Sequence, residues 1–220
     1  MAPPTVDVHG LAKPLLRGRL HLGALLVAVP AVIVLIVIAQ GATATTSAAV
    51  YGTTLVALFA ISSAYHRFDP QSRWCLVLRR LDHATIYLLI AGSYTPFAAV
   101  AIGGKLGVAL IATVWSLALL GVALKLRWFD RTHAVGSALY IGIGWLAIVA
   151  APAMIHRVSG ISMTLLVLGG IAYTGGAIIL GTRRPDPFPR VFGYHEVWHA
   201  LTIAAAALHY VAIASVVRGA

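Results

Sequence analysis

The run His195-Glu196-Val197-Trp198-His199 puts two imidazoles four residues apart at the start of the last apolar segment of the chain. Four residues is close to one helical turn, so both rings share a face. An ionisable group inside or at the edge of a membrane helix is costly to keep there, and it marks a functional site by default. Two other apolar segments bring partners to the same depth: Ser62 and His66, again one turn apart, end the second, and Asp82 opens the third. Three neutral imidazoles with an open fourth position make a catalytic type of zinc centre, whereas structural centres are usually closed by four protein ligands. His66, His195 and His199 are the expected ligands. Asp82 would orient or deprotonate the metal's water, and Ser62 would hydrogen-bond that water or a substrate carbonyl.

Each residue also has a purely structural reading. His66 and His195 could be interfacial residues, Asp82 an N-cap, and Ser62 a hydroxyl bonded to its own backbone. Those readings leave the shared depth of three His unexplained. Other histidines stay outside the expected site. His83 follows Asp82 and points about 100° away, and His209 lies about 21 Å beyond His195 along a helix. His9, His21, His133 and His156 fall in the tail or at segment ends and read as solvated.

The elements that must position these groups follow from composition. The 220 residues are 60% hydrophobic and 10% charged, against about a quarter charged in soluble domains. Seven apolar stretches are long enough for a helix to cross the hydrocarbon core, which takes about 20 residues. They are 21–40, 46–66, 82–102, 106–125, 133–152, 161–181 and 195–217. The expectation is an all-α polytopic membrane protein, one seven-helix domain over 13–220, preceded by a mobile tail over 1–12.

The net charge of +10 follows a topological pattern. Lys13, Arg17 and Arg19 precede the first span, and Arg67, Arg73, Arg79 and Arg80 lie between the second and third. Lys125, Arg127 and Arg131 join the fourth and fifth; Arg183, Arg184 and Arg190 join the sixth and seventh. Only Lys105, Arg157 and Arg218 fall on the other side. The positive-inside rule then expects a cytoplasmic N-terminus, an external C-terminus and an odd number of spans. Charge that sets topology needs no nucleic-acid partner, and none is expected.

Local signals fill in the rest. Cys75 is the only cysteine, which excludes intrachain disulfides and thiolate clusters, and it is expected in a cytoplasmic loop. The first apolar run exceeds a signal-peptide core and reads as a retained anchor. Pro30 and Pro96 should kink their helices. Gly169, Gly170, Ala172, Gly175 and Gly176 make a small-residue surface for close helix packing. The segment Arg183 to Arg190 is too Pro-rich for a helix and reads as a stiff hairpin.

His195 to His199 also fits H-E-x-x-H, in which the Glu is the general base of a zinc protease. An intramembrane protease is therefore one reading of Glu196. A larger pattern covers more of the chain. Lys13-Pro14-Leu15-Leu16-Arg17-Gly18, Ser62-Ser63-Ala64-Tyr65-His66, Leu81-Asp82-His83-Ala84-Thr85-Ile86-Tyr87, Ala91-Gly92-Ser93-Tyr94-Thr95-Pro96-Phe97 and the His195–His199 run occur in this order. Together they resemble the hemolysin III family, the bacterial branch of the progestin and adipoQ receptors.

That resemblance implies a superfamily pattern at Ser62, His66, Asp82, His195 and His199, with the three His on zinc and Asp82 against the zinc-bound water. Receptor relatives carry Gln where this chain has Glu196, which lowers the protease reading and leaves Glu196 a supporting role. The kinship of the superfamily to alkaline ceramidases implies a zinc-dependent hydrolase acting on an amide or ester of a membrane lipid. The alternatives are a membrane sensor or regulator with structural zinc, and a cytolysin. The expected location is a bacterial plasma membrane.

Overall fold

The computed structural model describes residues 14–68, 71–129 and 133–219, without the side chains of residues 133–135 and 137. The expected tail at 1–12, together with Lys13 and Arg131, lies outside these residues. The described chain is helical. Its elements are α1 (Arg19–Ile38), α2 (Gly41–Arg67), α3 (Arg73–Pro96), a π-helical turn (Phe97–Ile102), α4 (Gly104–Arg127), α5 (His133–Trp145), α6 (Ala147–Met154), α7 (Gly160–Thr182) and α8 (Tyr194–Arg218).

Six helices are long and apolar enough to cross a bilayer: α1, α2, α3 with its π turn, α4, α7 and α8. Outward-facing Leu26, Val27, Ile33, Val37, Val108, Ile161 and Ile171 give the bundle an apolar exterior, the pattern of a protein solvated by lipid. α2 and α3 are central, with half or more of their apolar stretches buried, whereas α7 is peripheral. Their packing depends on residues without side chains. A Cβ on Gly92 of α3 would come within 2.1 Å of the Thr54 hydroxyl on α2.

The expected fifth span, 133–152, is not one helix. It is two shorter ones, α5 and α6, divided at Leu146. The cause lies on α3. The Tyr94 hydroxyl sits 2.9 Å from the Ile143 carbonyl and 2.8 Å from that of Gly144, and it also bonds the backbone of Ala147. A side chain inserted into the i→i−4 ladder divides a helix, and flanking Gly142 and Gly144 resist that weakly. The count of single long helices among the described residues is therefore six, not seven.

Other expectations meet a mixed outcome. α1 runs through Pro30 without interruption. At Pro96 the helix widens into the π turn, which closes on Gly103 and Gly104, both with positive φ. α3 begins at Arg73 rather than near 82, capped by the Ser72 hydroxyl, so Cys75 is buried in helix rather than lying in a loop. Of the glycines on α7, Gly169 packs on His209 and Gly176 on Trp198, while Gly170 and Gly175 face open space. The α7–α8 connection is not helical and doubles back where Phe188 and Phe192 pair antiparallel. Its Arg190 and Val191 carbonyls accept the Leu15 and Leu16 N–H groups at 3.0 and 3.2 Å. The chain segment before α1 is thus laced to the approach to α8.

Candidate metal centre

α2 carries Ser62 and His66 in its last turns, and α8 carries His195 and His199 in its first. Helix spacing stacks each pair on one face, and the antiparallel packing of the bundle sets the faces together. The Nε2 atoms of His66 and His195 are 3.2 Å apart. Ring centroids are 4.7 Å apart for His66–His195, 5.0 Å for His66–His199 and 4.6 Å for His195–His199. One ring nitrogen from each of the three lies within 4.8 Å of the others, so the group could hold a metal ion.

Asp82 belongs to the same cluster. Because α3 starts at Arg73, Asp82 lies well inside that helix and cannot cap it. Its Oδ2 is 3.8 Å from His66 Nε2, and its carboxylate accepts the Ser62 hydroxyl. Ser62, His66, Asp82 and His199 are all buried. The structure therefore sets the five expected residues side by side in an apolar bundle.

The donor set fits a metal. Both ring nitrogens of His199 are buried without a hydrogen-bond partner among the described residues. Leaving such a group unsatisfied costs about 1–3 kcal/mol, so native structures rarely do it without a reason. Three neutral nitrogens converging from two helices are the ligands that zinc and related divalent ions prefer.

Two residues expected elsewhere also join the site. His21 is buried, 2% exposed, and its ring lies flat on that of His199, centroids 3.8 Å apart and planes 11° from parallel. Arg17 ion-pairs through Nε with Glu196 Oε1 at 2.5 Å, where Glu196 is fully buried. The available signal was that Arg17 and His21 are spaced four apart, one helical turn, at the entry to α1. Glu196 uses its other oxygen to accept the Gly193 N–H at 3.0 Å, closing the first turn of α8. Both of its oxygens are thus engaged in holding α8 against the segment before α1.

The remaining histidines divide as follows. His83 bonds the Arg79 carbonyl through Nδ1, which also lies 3.9 Å from Asp82 Oδ2, closer than a simple 100° offset suggests. His209 bonds the Leu166 carbonyl across to α7 at 3.2 Å. His156 is exposed. His9 and the side chain of His133 lie outside the described residues.

Comparison with known proteins agrees with this architecture. The family described as Haemolysin-III related matches residues 9–210. The chain is 35% identical over 193 residues to "Hemolysin-3" of Bacillus cereus, covering 86% of this chain and 84% of that protein. It is 33% identical over 185 residues to "Hemolysin-3 homolog" of Bacillus subtilis (strain 168), covering 83% and 84%. More distant is "Heptahelical transmembrane protein ADIPOR2" of Oryza sativa subsp. japonica, 28% identical over 170 residues and covering 70% and 74%. The apolar helices and these bacterial relatives are consistent with a bacterial plasma membrane. The chain is a multi-pass membrane protein and belongs to the haemolysin III family, within the progestin and adipoQ receptor superfamily.

Proposed function

We propose that this protein is a zinc-dependent membrane hydrolase that cleaves an amide or ester bond in a lipid. The observation that carries the reading is the position of Asp82: a carboxylate buried in mid-helix, bonded to Ser62 and 3.8 Å from His66. A buried carboxylate is expensive, and a helix cap or a surface ion pair does not account for this one. His66, His195 and His199 would hold the ion. When bound, zinc supplies Lewis acidity to a carbonyl and to a water. Asp82 takes the proton that the attacking water gives up and returns it to the amine or alcohol that departs as the C–N or C–O bond breaks, and the Ser62 hydroxyl fixes the carboxylate in place. The apolar walls exclude bulk water, and the lipid enters from the bilayer.

In this reading α5 and α6 together make one further crossing, giving seven. The name of the rice relative, heptahelical, supports that count. The distribution of Lys and Arg then sets the metal centre on the cytoplasmic side, with the N-terminus inside and the C-terminus outside.

A second reading, a non-catalytic zinc clamp in a membrane sensor, is favoured by the burial of His199 to 1% exposure. The ion would then simply tie α2 to α8. The protease reading is disfavoured, because the Glu196 oxygens are both committed to Arg17 and to the start of α8. The test is metal content by mass spectrometry beside His195→Ala/His199→Ala, followed by a screen of lipid amides and esters. About one zinc per chain, lost in the variant, is expected. Its absence from a folded, chelator-free preparation refutes both zinc readings.

A further inference from the structure

Beside the His cluster lies a second polar feature that the metal chemistry does not use. A cavity of about 310 Å³ is lined by Arg79, His83 and Ile86 of α3, Lys125 of α4, Tyr140 of α5, Leu180 and Arg183 at the end of α7, and Tyr194 and Trp198 of α8. Two of these side chains, Arg79 and Arg183, are permanent cations, Lys125 is a third basic group, and no carboxylate is among the described lining residues. The volume is at the lower end of the range that small-ligand sites occupy, about 300–1,000 Å³. The cavity lies in the N-terminal halves of α3 and α8 and at the C-terminal ends of α4 and α7, toward one end of the bundle.

The cationic wall is built into the fold. Lys125 is only 3% exposed, and its side chain passes over Gly136, where a Cβ would come within 2.6 Å of both Cε and Nζ. The Arg79 guanidinium lies 4.6 Å from the Phe129 ring centroid, and Lys125 Nζ lies 5.4 Å from it, so one aromatic ring gathers two basic groups. Arg183 ends α7 in the left-handed region, φ 57°, a position where glycine is the usual residue. Trp198 forms the wall shared with the His cluster, packing on His195 and His199 with centroids 5.1 and 5.0 Å away.

We propose that this cavity binds an anionic phosphoryl group, held by Arg79, Lys125 and Arg183, with the Tyr140, Tyr194 and Trp198 side chains as further donors. Guanidinium pairs recognise phosphate through forked hydrogen bonds, and the two guanidiniums match more than one negative charge. Basic pockets between membrane helices are suited to phospholipid heads, although a free phosphate offers the same chemistry. The site does not rest on the metal reading.

The experiment titrates the purified full-length protein in detergent with dihexanoyl phosphatidic acid, dihexanoyl phosphatidylcholine and inorganic phosphate, following tryptophan fluorescence and Tm. Phosphatidic acid is expected to bind at least about tenfold more tightly than phosphatidylcholine, and Arg79→Gln and Arg183→Gln should each weaken it by about tenfold. Arg183 is exposed, so its variant tests the site without a folding risk. Inorganic phosphate binding as tightly as the lipid would uphold the phosphoryl site with a soluble occupant. Equal binding of the two lipids, or unchanged affinity in both Arg variants, overturns the inference. Phosphatidic acid binding that survives metal loss in His195→Ala/His199→Ala keeps this site even where the zinc reading fails.

Discussion

The imidazole of His21 lies flat against that of His199, 3.8 Å between centroids, so the first helix of the bundle supports a candidate ligand on the last. Stacking fixes the plane of the His199 ring before any ion arrives. Groups that orient metal ligands typically change affinity by about 10–100-fold when removed. His21→Ala should therefore lower zinc affinity by about tenfold in a chelator competition, whereas His21→Phe keeps a flat ring and should recover most of it. Wild-type affinity in His21→Ala would rule out this supporting role.

Asp82 separates the two zinc readings. Asp82→Asn should retain zinc, because the carboxylate is adjacent to the His triad rather than part of it. Turnover of a lipid substrate should fall by about 10²–10⁴-fold if Asp82 is the proton acceptor. Ser62→Ala should cost less, about tenfold, since it only steadies that carboxylate. Unchanged turnover in Asp82→Asn would leave the clamp as the better account.

The Arg17–Glu196 pair should be felt in stability first. Removing one partner of a buried ion pair strands the other charge and costs about 3–5 kcal/mol, less where one side reaches solvent, as Arg17 does at 16% exposure. Arg17→Leu is expected at about 3 kcal/mol in a denaturant or thermal unfolding assay. Glu196→Gln keeps an acceptor for the Gly193 N–H and should cost about 1–2 kcal/mol. Lipid turnover should persist in Glu196→Gln; its abolition with zinc still bound would make Glu196 rather than Asp82 the proton acceptor.

Tyr94 holds the break between α5 and α6. Tyr94→Phe removes the hydroxyl that serves the Ile143 and Gly144 carbonyls and should destabilise the protein by about 1–3 kcal/mol. Hydrogen exchange should report the loss locally, with faster exchange over residues 138–154. A uniform change across all helices would contradict a local role.

Which features were legible depends on whether their causes are local. The long apolar helices could be read because hydropathy is a property of contiguous residues, and the His195/His199 and Ser62/His66 pairs because helix spacing is local too. The early start of α3 was hidden, since Arg73, Arg79 and Arg80 interrupt the apolar pattern while still fitting a helix. The division of the fifth span was also hidden, because a hydroxyl on α3 produces it from some fifty positions away in sequence. His21 looked like a solvated residue at a span end, and only the packing of α1 on α8 shows that its ring is covered.

The stitching of Leu15 and Leu16 onto Arg190 and Val191, with Arg17 on Glu196, has a consequence for biosynthesis. These contacts join residues far apart in the chain, so they cannot form until the segment entering α8 has been made. The partners made first must wait for those made last. The centre therefore cannot close before the start of α8 has been made, and any ion held by all three His is loaded late in synthesis.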